Sequence, residues 1–324
     1  MAELTEDHVE TRAGSFPVAL RRWPLFIAIG LLLYLGLYLW SEALARDHAE
    51  RNRFFKVATA PLAKYDHVIL GASHALPFDY ADMNSALEQA SGSTVMNLAN
   101  EGAGILPNQL MLDYFFADHE AGNVIFFLDS FAFYSPEWNE DRLDSALFLR
   151  APFDPTLVGL LWKYPWARDE ILPYVSGFTK INNKDRFAPD RTEAELTKFE
   201  KTYRPIAQID NQRIAYLYPE TVPPETFEHY LAAFETLIDT AEAHGAEFIA
   251  IKPPTPPRYR DNLPNEAAFD AAIAEIVERR GIGYEDYSAA LPDDANYYDT
   301  DHLNSTGVAA FIEANFAGLL REEK

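Results

Sequence analysis

From His67 onward the chain alternates short apolar, β-rich runs with patterns of helical pitch. The apolar runs fall at 67–71, 94–98, 123–128, 246–252 and, more weakly, 282–287. Helical periodicities fill roughly 80–90, 106–118, 225–244, 266–280 and 304–319. Strand, helix, strand at this spacing requires crossover connections, so the pattern predicts an α/β domain built on a parallel sheet. Strands buried on both faces should be continuously apolar, and Val124-Ile125-Phe126-Phe127-Leu128 is. With 48% hydrophobic residues among 324, the chain can bury such a core.

Ligands of parallel α/β sheets bind beyond the carboxyl ends of the strands. Ser73 follows the first run, Gly102 the second, and Asp129 and Ser130 the third. Lys252-Pro253-Pro254 follows the fourth, and Asp299 and His302 lie beyond the fifth. The candidate residues therefore gather on one edge. A serine hydroxyl needs a neighbouring base to take its proton during attack, and the base needs an orienting carboxylate. Ser73 is the expected nucleophile, His302 the base and Asp299 the orienting group. Asp301 competes, but adjacent side chains diverge, which favours Asp299. His74 is expected to have a surface or capping role, and Glu101 to be a solvated loop charge.

Before the sheet, Trp23 to Ser41 carries no charge and has a tryptophan near each end. As a helix it can cross most of a bilayer core, with Trp23 and Trp40 at headgroup level. Ala43-Leu44-Ala45 would fit a signal-peptide cleavage site, yet the apolar run is longer than an ordinary leader core, so an uncleaved anchor is expected. Basic residues are nearly balanced across it: Arg12, Arg21 and Arg22 before, Arg46, Arg51, Arg53 and Lys56 after. The expected organisation is a cytoplasmic tail (1–22), an anchor (23–41), a stalk (42–66) and an α/β domain (67–324) with an insertion at 131–224. The insertion is rich in Trp, Tyr, Phe and Pro. It would be either a cap that shapes a groove for an elongated acceptor or a small subdomain with its own aromatic core.

A net charge of −23 argues against nucleic acid as a partner. The absence of cysteine removes disulfides, thiolate metal sites and a cysteine nucleophile, and the eight histidines lack metal-binding spacing. No metal and no organic cofactor are expected.

Three blocks resemble the SGNH/GDSL hydrolase superfamily, specifically its membrane-anchored branch that includes alginate O-acetyltransferase-like and teichoic acid D-alanylation-like proteins. Gly71-Ala72-Ser73-His74 is similar to the nucleophile block, with Ala72 where Asp is common. Asn97-Leu98-Ala99-Asn100-Glu101-Gly102 is similar to the second block, and Asp299-Thr300-Asp301-His302 to the last, Asp-x-x-His. The resemblance covers about 67–130 and 246–319. It implies a three-layer, flavodoxin-like sheet and an exported domain on the periplasmic side of the inner membrane. It also implies an oxyanion hole built from the backbone N–H groups of Ser73 and Gly102. The family's third donor is an Asn side chain after the third strand. Here that position reads Leu128-Asp129-Ser130, so Ser130 or Asn100 would have to substitute, or the hole is weaker. The α/β-hydrolases share the order Ser, Asp, His, but their elbow is Gly-x-Ser-x-Gly. Residue 75 is Ala, and the serine follows the first strand.

The expected activity is transfer or removal of an acyl group, acetyl above all, on a cell-envelope polysaccharide. The substrate would be a carbohydrate or acyl ester, and a transferase would draw on a multi-pass membrane protein as acyl donor. The alternatives are a purely hydrolytic envelope esterase or lipase, and a non-catalytic scaffold that binds glycan.

Overall fold

A computed structural model of the chain describes residues 16–47, 52–143, 147–148, 151–182 and 193–322. The first fifteen residues of the expected tail lie outside the described residues. From Phe16 the tail already belongs to helix α1 (Phe16–Asp47). Within α1, Arg22–Arg46 contains an 18-residue window of mean hydropathy 1.9, and the stretch is long and apolar enough to cross a membrane. Its apolar side chains are uncovered by the rest of the protein, as Leu31 and Phe26 illustrate, so it is not a core helix. The expected stalk is in part integral to the domain. Helix α2 (Arg53–Ala58) is capped by Asn52, whose Oδ1 accepts from the Phe55 N–H, and it buries Phe54 and Val57. Arg53 on the same helix pairs with Asp79 at 2.6 Å and donates to the Ala99 carbonyl at 2.8 Å.

Five parallel strands follow: β1 (Lys64–Leu70), β2 (Val95–Asn97), β3 (Glu120–Phe127), β4 (Glu247–Lys252) and β5 (Gly283–Asp286). Their order is β2-β1-β3-β4-β5. This is the flavodoxin-like order, with its reversal between β1 and β3. Helices α3 (Met83–Ser91) and α4 (Ile105–Asp118) flank β2. After β3 come α5 (Pro155–Lys163), α6 (Ile171–Val175), α7 (Phe178–Ile181), α8 (Glu193–Phe199) and α9 (Ala207–Leu217). The sheet pattern resumes with α10 (Pro224–Ala243), α11 (Pro257–Arg260), α12 (Glu266–Arg280), α13 (Ser305–Phe311) and α14 (Ala317–Glu322).

The pleat sends successive side chains to opposite faces, and this alternation makes three layers. Val68, Leu70, Val124, Phe126, Phe248 and Ala250 pack with Leu110 and Phe115 of α4 and Phe234 and Ile238 of α10. Ile69, Ile125, Phe127, Ile249 and Ile251 pack on the other face with Leu87 of α3 and Val308 and Phe311 of α13. β5, the weakest apolar run, is a largely exposed edge strand. The insertion does not keep a separate core. Phe131, Phe133, Trp138, Phe148, Tyr164 and Tyr174 join the same buried cluster as the first sheet face.

The turn that leaves β1 depends on Gly71. Its φ of +141° is a conformation that side chains rarely adopt, and an added Cβ would lie 2.9 Å from Phe127 Cβ. Its N–H donates to Asn108 Oδ1 at 3.0 Å, tying the turn to α4. Replacing Gly71 with Ala combines backbone strain with overpacking, so a loss of about 2–4 kcal/mol is expected. Chemical denaturation checks this, and an unchanged midpoint would contradict it.

Candidate active site

Three loops at the carboxyl ends of the strands enclose a cavity of about 260 Å³ lined by Ser73, Gly102, Asp299 and His302. Ser73 sits two residues beyond Gly71, half-buried. His302 is held by a compact hairpin in which Tyr298 N–H donates to the His302 carbonyl at 3.0 Å. Asp299 closes that turn: its Oδ1 accepts from the His302 N–H at 3.0 Å and contacts His302 Nδ1 at 2.9 Å. Asn304 then caps α13 through the Gly307 N–H and braces the hairpin through the Ala295 carbonyl. His302 Nε2 is buried and has no hydrogen-bond partner. The Asp299 contact at 2.9 Å is closer than that of Asp301, whose Oδ1 lies 3.4 Å from His302 Nδ1.

Burial alone would raise the Asp299 pKa, but the neighbouring His302, through its charge and hydrogen bonds, draws it down to about 2. Lys198 adds a longer contact at 3.3 Å. The Asp299 carboxylate is therefore ionised at neutral pH.

Asp301 anchors a second network that the sequence did not signal. It is wholly buried and is met by Arg213 Nε at 3.1 Å, His74 Nε2 at 3.4 Å and the Thr300 hydroxyl at 2.5 Å. Desolvation would raise its pKa, yet His302, His74 and Arg213 hold it well below the carboxylate range. His74 is neither a surface nor a capping residue. It is buried, its Nδ1 lies 2.5 Å from Asp129 Oδ1, and its ring stacks on His302 at 4.9 Å between centroids. Burial would discharge His74, but Asp129 and Asp301 overcome this and push its pKa up to about 10. His74, Asp301 and His302 bring three donor atoms within 4.8 Å of one another. As placed, His74 faces carboxylates with both nitrogens, Asp129 at 2.5 Å and Asp301 at 3.4 Å, which is the arrangement of an ion-pair network.

The expected oxyanion residues separate. Ser73 and Gly102 share the cavity. Ser130 does not: its hydroxyl donates to Glu266 at 2.6 Å, lies 2.7 Å from Tyr218 OH, and lines a different, small cavity beside Lys252. Asn100 contributes a backbone N–H to the Gly71 carbonyl at 3.2 Å, and its side chain is not in the cavity wall. Asp129, whose charge would repel an oxyanion, is turned onto His74 instead. Glu101 is exposed at the cavity mouth.

A residue of the insertion also lines the cavity beside Gly102. The Arg142 guanidinium lies against Gly102, so close that a Cβ there would be 2.8 Å from Nη2. It stacks over Trp138 at 4.6 Å, and its Nε is buried without a hydrogen-bond partner. Asn139 fixes this arm by accepting from the Leu106 N–H at 3.1 Å and donating to the Ala132 carbonyl at 2.8 Å. Phe131, Trp138, Tyr216 and Leu217 complete that wall. The insertion thus does form one side of the cavity, although most of its aromatics are core.

No family model matches the sequence, and no curated protein matches it. Among solved structures, the chain is similar to a Bacteroides fragilis protein provisionally assigned as an acylhydrolase. The TM-score is 0.43 with 10% identity, over 84% of this chain and 97% of that one. What chemistry this chain performs is read from its own side chains.

The His74 network predicts an alkaline weakness. Folded His74 keeps its proton to about pH 10, whereas the unfolded group releases it near 6.5. Its stabilisation is therefore complete below the lower value and disappears as pH rises through the upper one. Melting temperature measured across that window should fall in the wild type and fall less steeply in H74Q. Parallel curves would contradict the assignment.

Proposed function

We propose that this protein is a membrane-anchored serine enzyme of the SGNH type that moves an acyl group through Ser73. One observation carries the reading: Ser73, His302, Asp299 and Gly102 line a single cavity, with Asp299 on His302 Nδ1 and His302 Nε2 unpartnered. In the reaction, Ser73 Oγ attacks the acyl carbonyl while His302 Nε2 takes its proton. Asp299 holds the Nδ1 proton and stabilises the imidazolium that forms. The tetrahedral oxyanion is met by the N–H groups of Ser73 and Gly102 and by the Arg142 guanidinium. Collapse expels the donor alcohol, which leaves with the proton from His302 and gives an acyl-serine. A second hydroxyl, from water or an acceptor, then repeats the sequence in reverse.

The acceptor reading follows the cavity wall. Tyr80, Tyr216 and Tyr298 offer aromatic faces, and Lys198 and Arg213 offer hydrogen-bond donors, a lining suited to a carbohydrate. A cell-envelope polysaccharide as acceptor, acetyl as the acyl group, export of the domain across the inner membrane and a multi-pass donor protein follow from the family resemblance. The apolar α1 supports anchoring. The engagement of Asp129 by His74 favours an enzyme over an inert glycan-binding scaffold, because it turns that carboxylate away from the place where it would oppose an oxyanion.

Ser73→Ala should abolish turnover of p-nitrophenyl acetate, and retained turnover would sink the proposal. Including an oligosaccharide and following its mass separates transfer from hydrolysis. Arg142→Ala should lower kcat by about 10²-fold with little change in KM, the usual scale for one oxyanion donor. A change confined to KM would place Arg142 in substrate binding alone.

A further inference from the structure

The carboxyl-terminal half of α1 is not bare. Tyr34 OH donates to the Ser176 carbonyl at 2.8 Å, the Tyr38 ring packs on Gly177, and Glu42 pairs with Lys180. Positions 34, 38 and 42 recur every four residues and form one face of the helix. The segment lying along that face, 176–180, comprises the Ser176-Gly177 link between α6 and α7 and the first residues of α7, inside the insertion. Gly177 permits the approach: its φ is +72°, and any Cβ would overlap the Tyr38 ring.

The depth of this contact is informative. Tyr34 lies six residues before Trp40, about 9 Å along a helix axis. If Trp40 marks the headgroup level, Ser176 lies on the acyl side of it. Glu42 and Lys180, the charged pair, then fall at the polar boundary just beyond Trp40. The side chains around the contact suit this placement. Leu172 is 75% exposed and Phe178 54%, with Val175 also exposed. From Ile171 to Ile181 the only charged residue is Lys180. Backbone hydrogen bonds also continue on both sides of the break between the two helices, which suits a lipid environment. Ser176 N–H donates to the Leu172 carbonyl, Gly177 N–H to Tyr174, and both Lys180 and Ile181 N–H to Gly177.

We propose that residues 171–181 form a second membrane element, half-inserted into the leaflet at the Trp40 end of α1. The occupant of their apolar face is lipid acyl chain. The element clamps the insertion, and with it the Arg142 side of the cavity, to the membrane surface. It rests on the reading of α1 as a membrane anchor.

The chain has no cysteine, so single-cysteine variants of the full protein can each carry one fluorophore. Leu172→Cys and Phe178→Cys report on the segment, Leu32→Cys on the anchor, and exposed Glu228→Cys on the domain. In phosphatidylcholine vesicles containing doxyl-labelled lipid, the first three should lose fluorescence and Glu228→Cys should keep it. Adding Gly177→Val should release the segment, restoring the Leu172→Cys signal while Leu32→Cys stays quenched. Quenching at Leu32→Cys with none at positions 172 and 178 would overturn the half-inserted element and leave the anchor standing. An unquenched Leu32→Cys would overturn the anchor itself, and the proposal with it.

Discussion

Two distant segments of chain converge on one carboxylate and on its neighbours in the turn. Asp301, fully buried after β5, is met by His74 from the turn after β1, by Arg213 from α9 and by its neighbour Thr300, with His302 beside it. His74 extends the network to Asp129 beyond β3. Charges so deeply buried are tolerable only when each finds a partner, and removing one member leaves another uncompensated. The network therefore fixes the relative placement of three strand ends and the insertion. The hairpin 297–304 rests on it, because the His302 ring stacks directly on His74. Asp299 then has only a local task, orienting the ring from within the same turn.

This arrangement explains why the sheet edge was readable in the sequence and the network beneath it was not. The apolar runs of β1, β3 and β4 follow from burial on both faces, a property each segment carries alone. Ser73 and Gly102 were singled out by the strand ends they lie near, and Asp299 and His302, well beyond the end of β5, by their Asp-x-x-His spacing. His74 was visible as a residue but not as an ion-pair partner. Its carboxylates lie at positions 129 and 301, and no local pattern records such pairing. Arg142 and Arg213 were hidden for the same reason, since both reach the cavity from an insertion without sheet periodicity. The third family block misled in an instructive way. Ser130 and Asn100 were weighed as substitute oxyanion donors, yet Ser130 belongs to Glu266 and Asn100 is not in the cavity wall, while Asp129 belongs to His74.

The insertion links the two ends of the account. Its early part presents Trp138 and Arg142 to the cavity, and its middle part docks on α1 through Ser176, Gly177 and Lys180. Its aromatics join the main core between these points, so the cavity wall and the α1 contact are parts of one packed body. An acceptor attached to an envelope would then meet the cavity at a fixed height above the lipid.

The most direct test of the central claim is to trap the acyl group. The full protein in detergent is mixed with p-nitrophenyl acetate, quenched in acid and digested, and the peptide spanning Ser73 is weighed. The account predicts one acetyl group on Ser73 in the wild type, and its accumulation when His302→Gln slows the second half of the reaction more than the first. Ester consumption with no acetyl ever found on Ser73 would contradict it.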